Sequence, residues 1–327
     1  MIASKYIKNN NNFVKEFQIE TKSKIRKIVK YQETVDGEKL RKFHNKLLKR
    51  LNKFPTSRFS IAYKKGFCTK DALYPHMKSK IFIKLDISNF FDSITREKLL
   101  KYCKYAKKIN KKSLRTCFYK EHLSLGYITS PRISDMYLYN FDVAVEKYMK
   151  DYNHFHYTRY SDDILISSEK DDLIDIYNFY NFIKKKLSDF DLIVNEAKLK
   201  EFDIDKHKSV HFLGLNIVLK NGVYDITISK RFIVKTLDLI EKLNTCHKEK
   251  LELSNRLTIL KNQYKIDNNL DVKEDINKTI ENIRKIKLRV RNLKSVIKSR
   301  VSYMKYNSIT TYNRFVIKHN NRFGTMW

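Results

Sequence analysis

Residues 156–167, HYTRYSDDILIS, set two adjacent aspartates, Asp162 and Asp163, between two runs of apolar and aromatic residues. Two such runs joined by a tight turn read as a β-hairpin. Asp-Asp is by itself a good turn sequence. Here, however, the flanks bury the hairpin, and nothing basic lies within the turn, so the plain turn reading leaves a costly carboxylate pair without a cation.

A third acid sharpens the problem. KIFIKLDISNFFDSI, residues 80–94, alternates like a strand in its first half, with Asp86 at the strand's end, and then enters a helix that Ser93 or Thr95 can cap. An acidic pair at a hairpin tip and a third acid closing a separate strand form the ligand set of a two-metal phosphoryl-transfer site. Two Mg²⁺ ions roughly 4 Å apart take hard oxygen ligands and stabilise the attacking and leaving oxygens of an in-line displacement. Neighbouring hairpin residues point to opposite faces, so Asp162 is expected to coordinate directly, with Asp163 in support and Asp86 as the second direct ligand.

The partner of such a site is written in the charge. The formal net charge is +32, spread along the chain, and 21 Tyr and 20 Phe accompany it. A polyanion with stacking bases suits this inventory better than an anionic membrane surface. No apolar run approaches a membrane span, and MIASKYIKNNNNF has neither an h-region nor a cleavage site, so a cytoplasmic protein is expected. Cys68, Cys103, Cys117 and Cys246 lack CxxC spacing and read as reduced, mostly buried thiols.

Along the chain, Leu40, Phe43, Leu47, Leu48 and Leu51 fall at helical intervals with a cationic outer face. Residues 57–73 read as a strand-like piece, a turn at Gly66 and a helix start at Thr69. Residues 96–120 read as a helix, residues 123–149 as a glycine turn and one long helix, and residues 171–190 as another helix. DLIVNEAKLKEF and SVHFLGLNIVLKNGVYDITIS read as strands, with Asn221-Gly222 a hairpin turn. From about Arg231 the pattern is helical. Stripes at Leu253, Leu257, Leu260 and Tyr264, and at Ile276, Ile280, Ile283, Ile286, Val290, Leu293 and Ile297, flank a polar turn and predict a helical hairpin at about 250–297 packing on itself.

The order of these pieces resembles a known family. IKLDISNFFDSI is similar to the first catalytic motif of reverse transcriptases, LGYITSPRISDMYL to the glycine-turn and helix motif that follows, and RYSDDILIS to the Tyr-x-Asp-Asp box. LIVNEAKLK and HFLGLNI resemble the next two motifs. All five occur in the family's order, and the resemblance covers nearly the whole chain.

The resemblance implies an α+β right-hand polymerase: fingers over 1–80, a palm of antiparallel sheet backed by helices over 81–230, and a helical thumb over 231–327. It implies that Asp86, Asp162 and Asp163 hold two Mg²⁺ ions, or Mn²⁺ in their place, with Ile87 beside Asp86 in contact with metal and nucleotide. Phe91 matches the aromatic residue that excludes a 2′-hydroxyl, which implies dNTP use; alone it reads equally as core. Gly126 matches a glycine near template and nucleotide, with Thr129, Ser130 and Pro131 continuing the match. Lys198 matches a lysine near the departing pyrophosphate, although exposed lysines are abundant here. Arg26, in KIRKIVKY, matches a fingers residue that meets the triphosphate, and Phe212, Leu213 and Gly214 match the turn that grips the primer. The chain departs from the family at Ser124-Leu125, where Pro-Gln usually precedes the glycine.

Length and motifs are similar to the compact bacterial enzymes of retrons and defence-associated systems, and His76 sits where retron-like enzymes have a histidine. The Val-Thr-Gly signature of retron enzymes is absent, and HFLGL in its place looks more like the intron or defence-associated lineages. The implied partners are a structured non-coding RNA, an RNA–DNA hybrid and dNTPs, with an effector protein or a second copy as further partners and antiphage defence as the setting. Basic faces at 40–54, 101–112 and 284–300 would meet phosphates. Two other readings stay open: a template-independent or protein-primed polymerase, and an idle RNA-binding scaffold.

Overall fold

The computed structural model describes residues 13–21 and 24–323, with side chains described outside 19–26. The chain forms two compact units, one running to Leu213 and including Ile217–Asp225, the other comprising Gly214–Asn216 and the residues from Ile226 onward.

The first unit opens with strands β1 (Val14–Thr21) and β2 (Lys24–Tyr31), an antiparallel pair with Val14 opposite Tyr31. Helix α1 (Val35–Leu51) starts where the Thr34 side chain accepts the Gly37 amide, and its Leu40, His44, Leu47 and Leu51 stripe is buried. Strand β3 (Ile81–Asp86) follows, then the short helices α2 (Phe90–Ser93), α3 (Arg96–Tyr102) and α4 (Lys111–Arg115) and the two-residue strands β4 (Phe118–Tyr119) and β5 (His122–Leu123). Helices α5 (Ser130–Tyr137) and α6 (Tyr139–Met149) lead into β6 (Phe155–Tyr160) and β7 (Asp163–Ser168), after which come α7 (Leu173–Asp189), β8 (Lys200–Asp203), α8 (Ile204–His207) and β9 (Ser209–Phe212).

The central sheet has the order β6-β7-β3-β8 and every pairing in it is antiparallel. Its apolar side chains, among them Ile81, Ile83, Leu85, Ile164 and Ile166, join Ile133, Phe141, Val145, Phe179 and Ile183 of the helices in one core. Each fully buried Phe or Ile contributes about 1.5–3 kcal/mol, so this helix-backed sheet is the rigid platform of the unit. Strand β9 lies in a second sheet with β10 (Leu215–Lys220) and β11 (Val223–Ile228), in the order β11-β10-β9. The β10–β11 turn is Asn221-Gly222 as expected, and φ is positive at both, +50° and +75°, the two-residue turn that matches strand twist.

Two expected helices are broken. Over 96–120 the core-facing positions Leu99, Cys103, Ala106, Leu114 and Cys117 keep a helical period, but the period places Asn110 on the same face. Asn110 leaves that face and instead caps α4, its side chain accepting from the amides of Lys112 and Ser113. Over 123–149 the helix bends at Leu138 (φ −88°, ψ 1°), between Asp135 and Asp142. The Thr69 helix start is a four-residue 3₁₀ turn, Thr69–Ala72.

In the second unit the expected hairpin is longer than its stripes suggested. Helices α9 (Lys230–Asp267) and α10 (Leu270–Asn307) are 38 residues each, turned by Asn268 at φ +45° and Asn269, whose side chain accepts the Asp271 amide. The pairing reaches the base: Arg300 donates to the Phe232 carbonyl and the Thr236 hydroxyl, both at 2.9 Å, and lies 3.8 Å from the centre of the Phe232 ring. Helix α11 (Ile309–Phe323) follows. Among the described residues no helix is long and apolar enough to cross a membrane.

Candidate active site

Asp86 closes β3 and stands directly opposite Asp163, the first residue of β7. Asp163 also faces Tyr160, the last residue of β6, so Ser161 and Asp162 make a two-residue turn. Ser161 holds φ +62°, the left-handed conformation such a turn demands. The two acidic segments are sewn together where they meet: the Ile87 amide donates to the Asp162 carbonyl at 3.0 Å. Strand pairing thus brings Asp86 and Asp163 side by side and the turn adds Asp162.

Side-chain cations meet two of these acids. Lys198 Nζ donates to both oxygens of Asp86, at 2.9 and 3.0 Å, and Asn195 Nδ2 donates to Asp86 Oδ2 at 3.3 Å. Lys198 is delivered by a 3₁₀ turn, Glu196–Lys198, that Asn195 anchors by donating its amide to the Asp86 carbonyl at 2.8 Å. Lys84, two residues before Asp86, lies 3.9 Å from Asp163 Oδ1. Burial raises the Asp162 carboxyl above the ordinary range; hydrogen bonds from its own amide and the Ser161 hydroxyl draw it down, and the charge of Asp86 adds to the rise. Burial likewise raises Asp163, against the opposing pull of Lys84.

Among the described residues no three His, Cys, Asp or Glu side chains converge closely enough to hold a metal ion as they stand. The cause is visible in the pairings, since Asp86 is turned to Lys198 and Asn195 while Asp163 is turned toward Lys84. The donor set nevertheless fits a hard divalent cation: carboxylate oxygens where two paired strands meet the turn, with Asp162 and Asp163 raised by burial and by neighbouring acids. The Lys198 side chain is 55% exposed, so it can leave Asp86 without disturbing the core.

Behind the turn lies a buried ion network. Arg159, 1% exposed, donates to Asp142 Oδ2 at 2.7 Å and Oδ1 at 3.0 Å, to Asp135 Oδ1 at 3.0 Å and to the Ser161 carbonyl at 3.3 Å. Burial works against its charge, but Asp142 and Asp135 more than offset this and hold the guanidinium above its usual value. Arg132 donates to Asp135 Oδ2 at 2.6 Å, Ser60 to Asp135 Oδ1 at 2.5 Å, and Tyr157 to Asp142 Oδ1 at 2.7 Å. The network pins the base of the acidic turn to α5 and α6.

Residues 15–217 match the family described as reverse transcriptase (RNA-dependent DNA polymerase). The chain belongs to the reverse transcriptase family. It is 24% identical over 151 residues to the retron Ec86 reverse transcriptase of Escherichia coli, covering 45% of this chain and 46% of that one. It is 28% identical over 190 residues to the retron Ec83 reverse transcriptase of the same organism, covering 53% and 59%. The chain thus spans about half the length of the curated relatives it matches. Among solved structures, the apo telomerase of Candida tropicalis superposes with a TM-score of 0.51 at 13% identity, over 94% of this chain and 68% of that one. The expected right-hand polymerase class and the resemblance to retron-type reverse transcriptases are borne out.

The reverse transcriptase motifs locate the remaining residues. Ile87 buries its side chain in the core, which leaves only its carbonyl for a metal or nucleotide. Phe91 lies at the rim of that core, edge-on to Phe90 at a centroid distance of 5.5 Å. Gly126 has φ +107°, and a Cβ there would stand 2.0 Å from the Val29 carbonyl oxygen. The close approach that demands glycine is therefore to β2, whose Val29 amide donates to the Leu125 carbonyl at 2.8 Å. Ser124 is held too, its carbonyl accepting from the Ser130 hydroxyl at 2.6 Å. Arg26 lies in β2 opposite Ile19, with its side chain outside the described residues. Phe212 is buried, and Leu213 and Gly214 form a turn with φ +52° and +81°.

His76 is fully buried beneath the hairpin, its ring nitrogens 2.6 Å from Ser167 Oγ and 2.9 Å from Thr158 Oγ1. Sequence reasoning missed Arg159, Asp135 and Asp142. A signal for Arg159 existed: it shares the period-two face of Phe155 and Tyr157, which are buried, so it required acids to meet it.

Proposed function

We propose that the chain is an RNA-directed DNA polymerase that extends a primer with dNTPs, using Asp86, Asp162 and Asp163 to hold two Mg²⁺ ions, with Mn²⁺ as a substitute. The observation that carries this reading is the pairing of Asp86 with Asp163 across β3 and β7, with Asp162 fixed beside them by the Ile87 amide. The ions, when bound, lower the barrier by stabilising the attacking 3′-oxygen, the α-phosphate and the departing pyrophosphate. Asp86 and Asp162 supply direct ligands and Asp163 orients them. Ile87 offers its carbonyl to the same cluster. Lys198, released from Asp86, would serve the leaving phosphate as a proton donor or counter-charge.

Phe91 supports dNTP selection because its ring stands five residues beyond Asp86 at the edge of the core. The likeness to two retron enzymes supports a structured non-coding RNA as template and antiphage defence as the setting. Incorporation of dNTPs on an RNA template by the unmodified chain, abolished in Asp162→Asn and Asp163→Asn, tests the polymerase reading. An unmodified chain that incorporates nothing while binding RNA would leave the scaffold reading in its place. A second reading rests on Ser124-Leu125, which replaces a nucleotide-facing amide by an apolar side chain. Sequencing products made with and without RNA separates templated from untemplated synthesis.

A further inference from the structure

We infer that Tyr63 is a positioning residue for the metal-holding acids, acting through Ser161 on Asp162. This rests on the reading of Asp162 as a metal ligand and adds to it a residue outside the acidic motifs. The Tyr63 hydroxyl donates to Ser161 Oγ at 3.0 Å, and Ser161 immediately precedes Asp162 in the two-residue turn, where its hydroxyl draws the Asp162 carboxyl down against burial. A hydroxyl that accepts one bond has its own proton directed away from that donor, so the phenol fixes the orientation of the Ser161 hydroxyl beside Asp162.

Both residues sit in the left-handed region, Tyr63 at φ +64° and Ser161 at φ +62°. For a bulky aromatic residue that conformation is disfavoured and persists only where its surroundings enforce it. The surroundings do so. Ser60 pairs with Arg159 in a parallel bridge, the Ile61 amide donates to the Arg159 carbonyl at 2.9 Å, and the Arg159 amide donates to the Phe59 carbonyl at 2.9 Å. The segment carrying Tyr63 is thus bonded to β6 at Arg159, two residues before Ser161. Tyr63 is 55% exposed and is absent from the buried core, so core packing does not explain the strained backbone.

The test measures metal directly as well as turnover. Mn²⁺ binding is followed by electron paramagnetic resonance on the full chain, and Mg²⁺ dependence by dNTP incorporation. In Tyr63→Phe, which keeps the ring, Mn²⁺ affinity is expected to fall about 3–30-fold, with the Mg²⁺ concentration for half-maximal rate rising in parallel and the rate at saturating Mg²⁺ within about 2-fold of the unmodified enzyme. Ser161→Ala should match it, and the double variant should be no weaker than Ser161→Ala alone. Unchanged Mn²⁺ affinity in Tyr63→Phe, or losses that multiply in the double variant, overturns the inference. Asp162→Asn separates the two layers: its loss of Mn²⁺ binding alongside an unaffected Tyr63→Phe removes only the role of Tyr63, whereas unaltered binding in Asp162→Asn removes the metal reading and the inference together.

Discussion

Lys198 places its ammonium within 3.0 Å of both carboxylate oxygens of Asp86, on the acid expected to hold a metal. A cation in that position competes with any divalent ion for the same lone pairs. The ammonium is on an exposed side chain, so the competition is weak, worth about 0.2–1 kcal/mol or up to roughly 5-fold in affinity. Lys198→Ala is expected to bind Mn²⁺ up to about 5-fold more tightly while incorporating dNTPs about 10–100-fold more slowly, because the same ammonium is lost to the leaving phosphate. Weaker Mn²⁺ binding in Lys198→Ala would show that the lysine supports the site instead of guarding it.

The acids also carry a stability cost. Asp162 is raised by burial and by the charge of Asp86, and Asp163 by burial and by the charges of Asp162 and Asp86, so without divalent cations each destabilises the fold at neutral pH. Asp162→Asn and Asp163→Asn should each abolish incorporation and yet raise the Tm of the metal-free protein by about 1–3 °C. Adding Mg²⁺ should stabilise the unmodified chain more than either variant. A lower Tm in both variants would mean that the carboxylates are structural.

Much of this site was legible because its parts are local. The alternation of KIFIKLD and HYTRYSDDILIS fixed two strands and the faces of their side chains, and the pairing of Asp86 with Asp163 follows once those strands are neighbours. What stayed hidden depends on distant partners. Asn110 keeps the helical period yet breaks the helix, because an amide on a core-facing position gains more as a cap. Gly126 signalled a close approach, but nothing in the sequence said that Val29 would be the neighbour. The acids that meet Arg159 lie 24 and 17 residues away on two helices whose bend is itself tertiary.

Arg159 makes the network behind the turn sensitive to half-measures. Removing the guanidinium leaves Asp142, which is fully buried, without its charge partner and leaves Asp135 to Arg132 alone, and breaking one side of a buried pair costs about 3–5 kcal/mol. Arg159→Met should therefore unfold at markedly lower urea, while Arg159→Met combined with Asp142→Leu should recover part of the loss, because two charges then leave the interior together. Incorporation should remain reduced in the combined variant, since the bond from Arg159 to the Ser161 carbonyl stays missing. Equal urea midpoints for the single and combined variants would break the account.

Two buried histidines set the acid limit of the fold. Burial lowers His44 to about 4, against a weaker pull upward from a hydrogen bond to Thr116, and burial with the nearby His156 takes His76 well below its ordinary 6.5. Both are neutral in the folded chain, where His44 bridges Tyr31 and Thr116 and His76 bridges Ser167 and Thr158. The unfolded chain binds their protons below about pH 6.5, so the stability they contribute is whole above that pH and drains as pH falls, by up to about 1.4 kcal/mol per pH unit for each. For His44 the loss ends near pH 4, where the folded form also takes its proton. The raised carboxyls of Asp162 and Asp163 work in the opposite sense, binding protons in the folded chain first. Urea midpoints measured from pH 8 to pH 5 should stay level down to about pH 6.5 and then drop. The same series in His44→Gln with His76→Gln should start lower and be flatter, because an amide offers a donor and an acceptor to the same hydroxyls without a titrating nitrogen. A decline in that variant as steep as in the unmodified chain would move the acid sensitivity elsewhere in the fold.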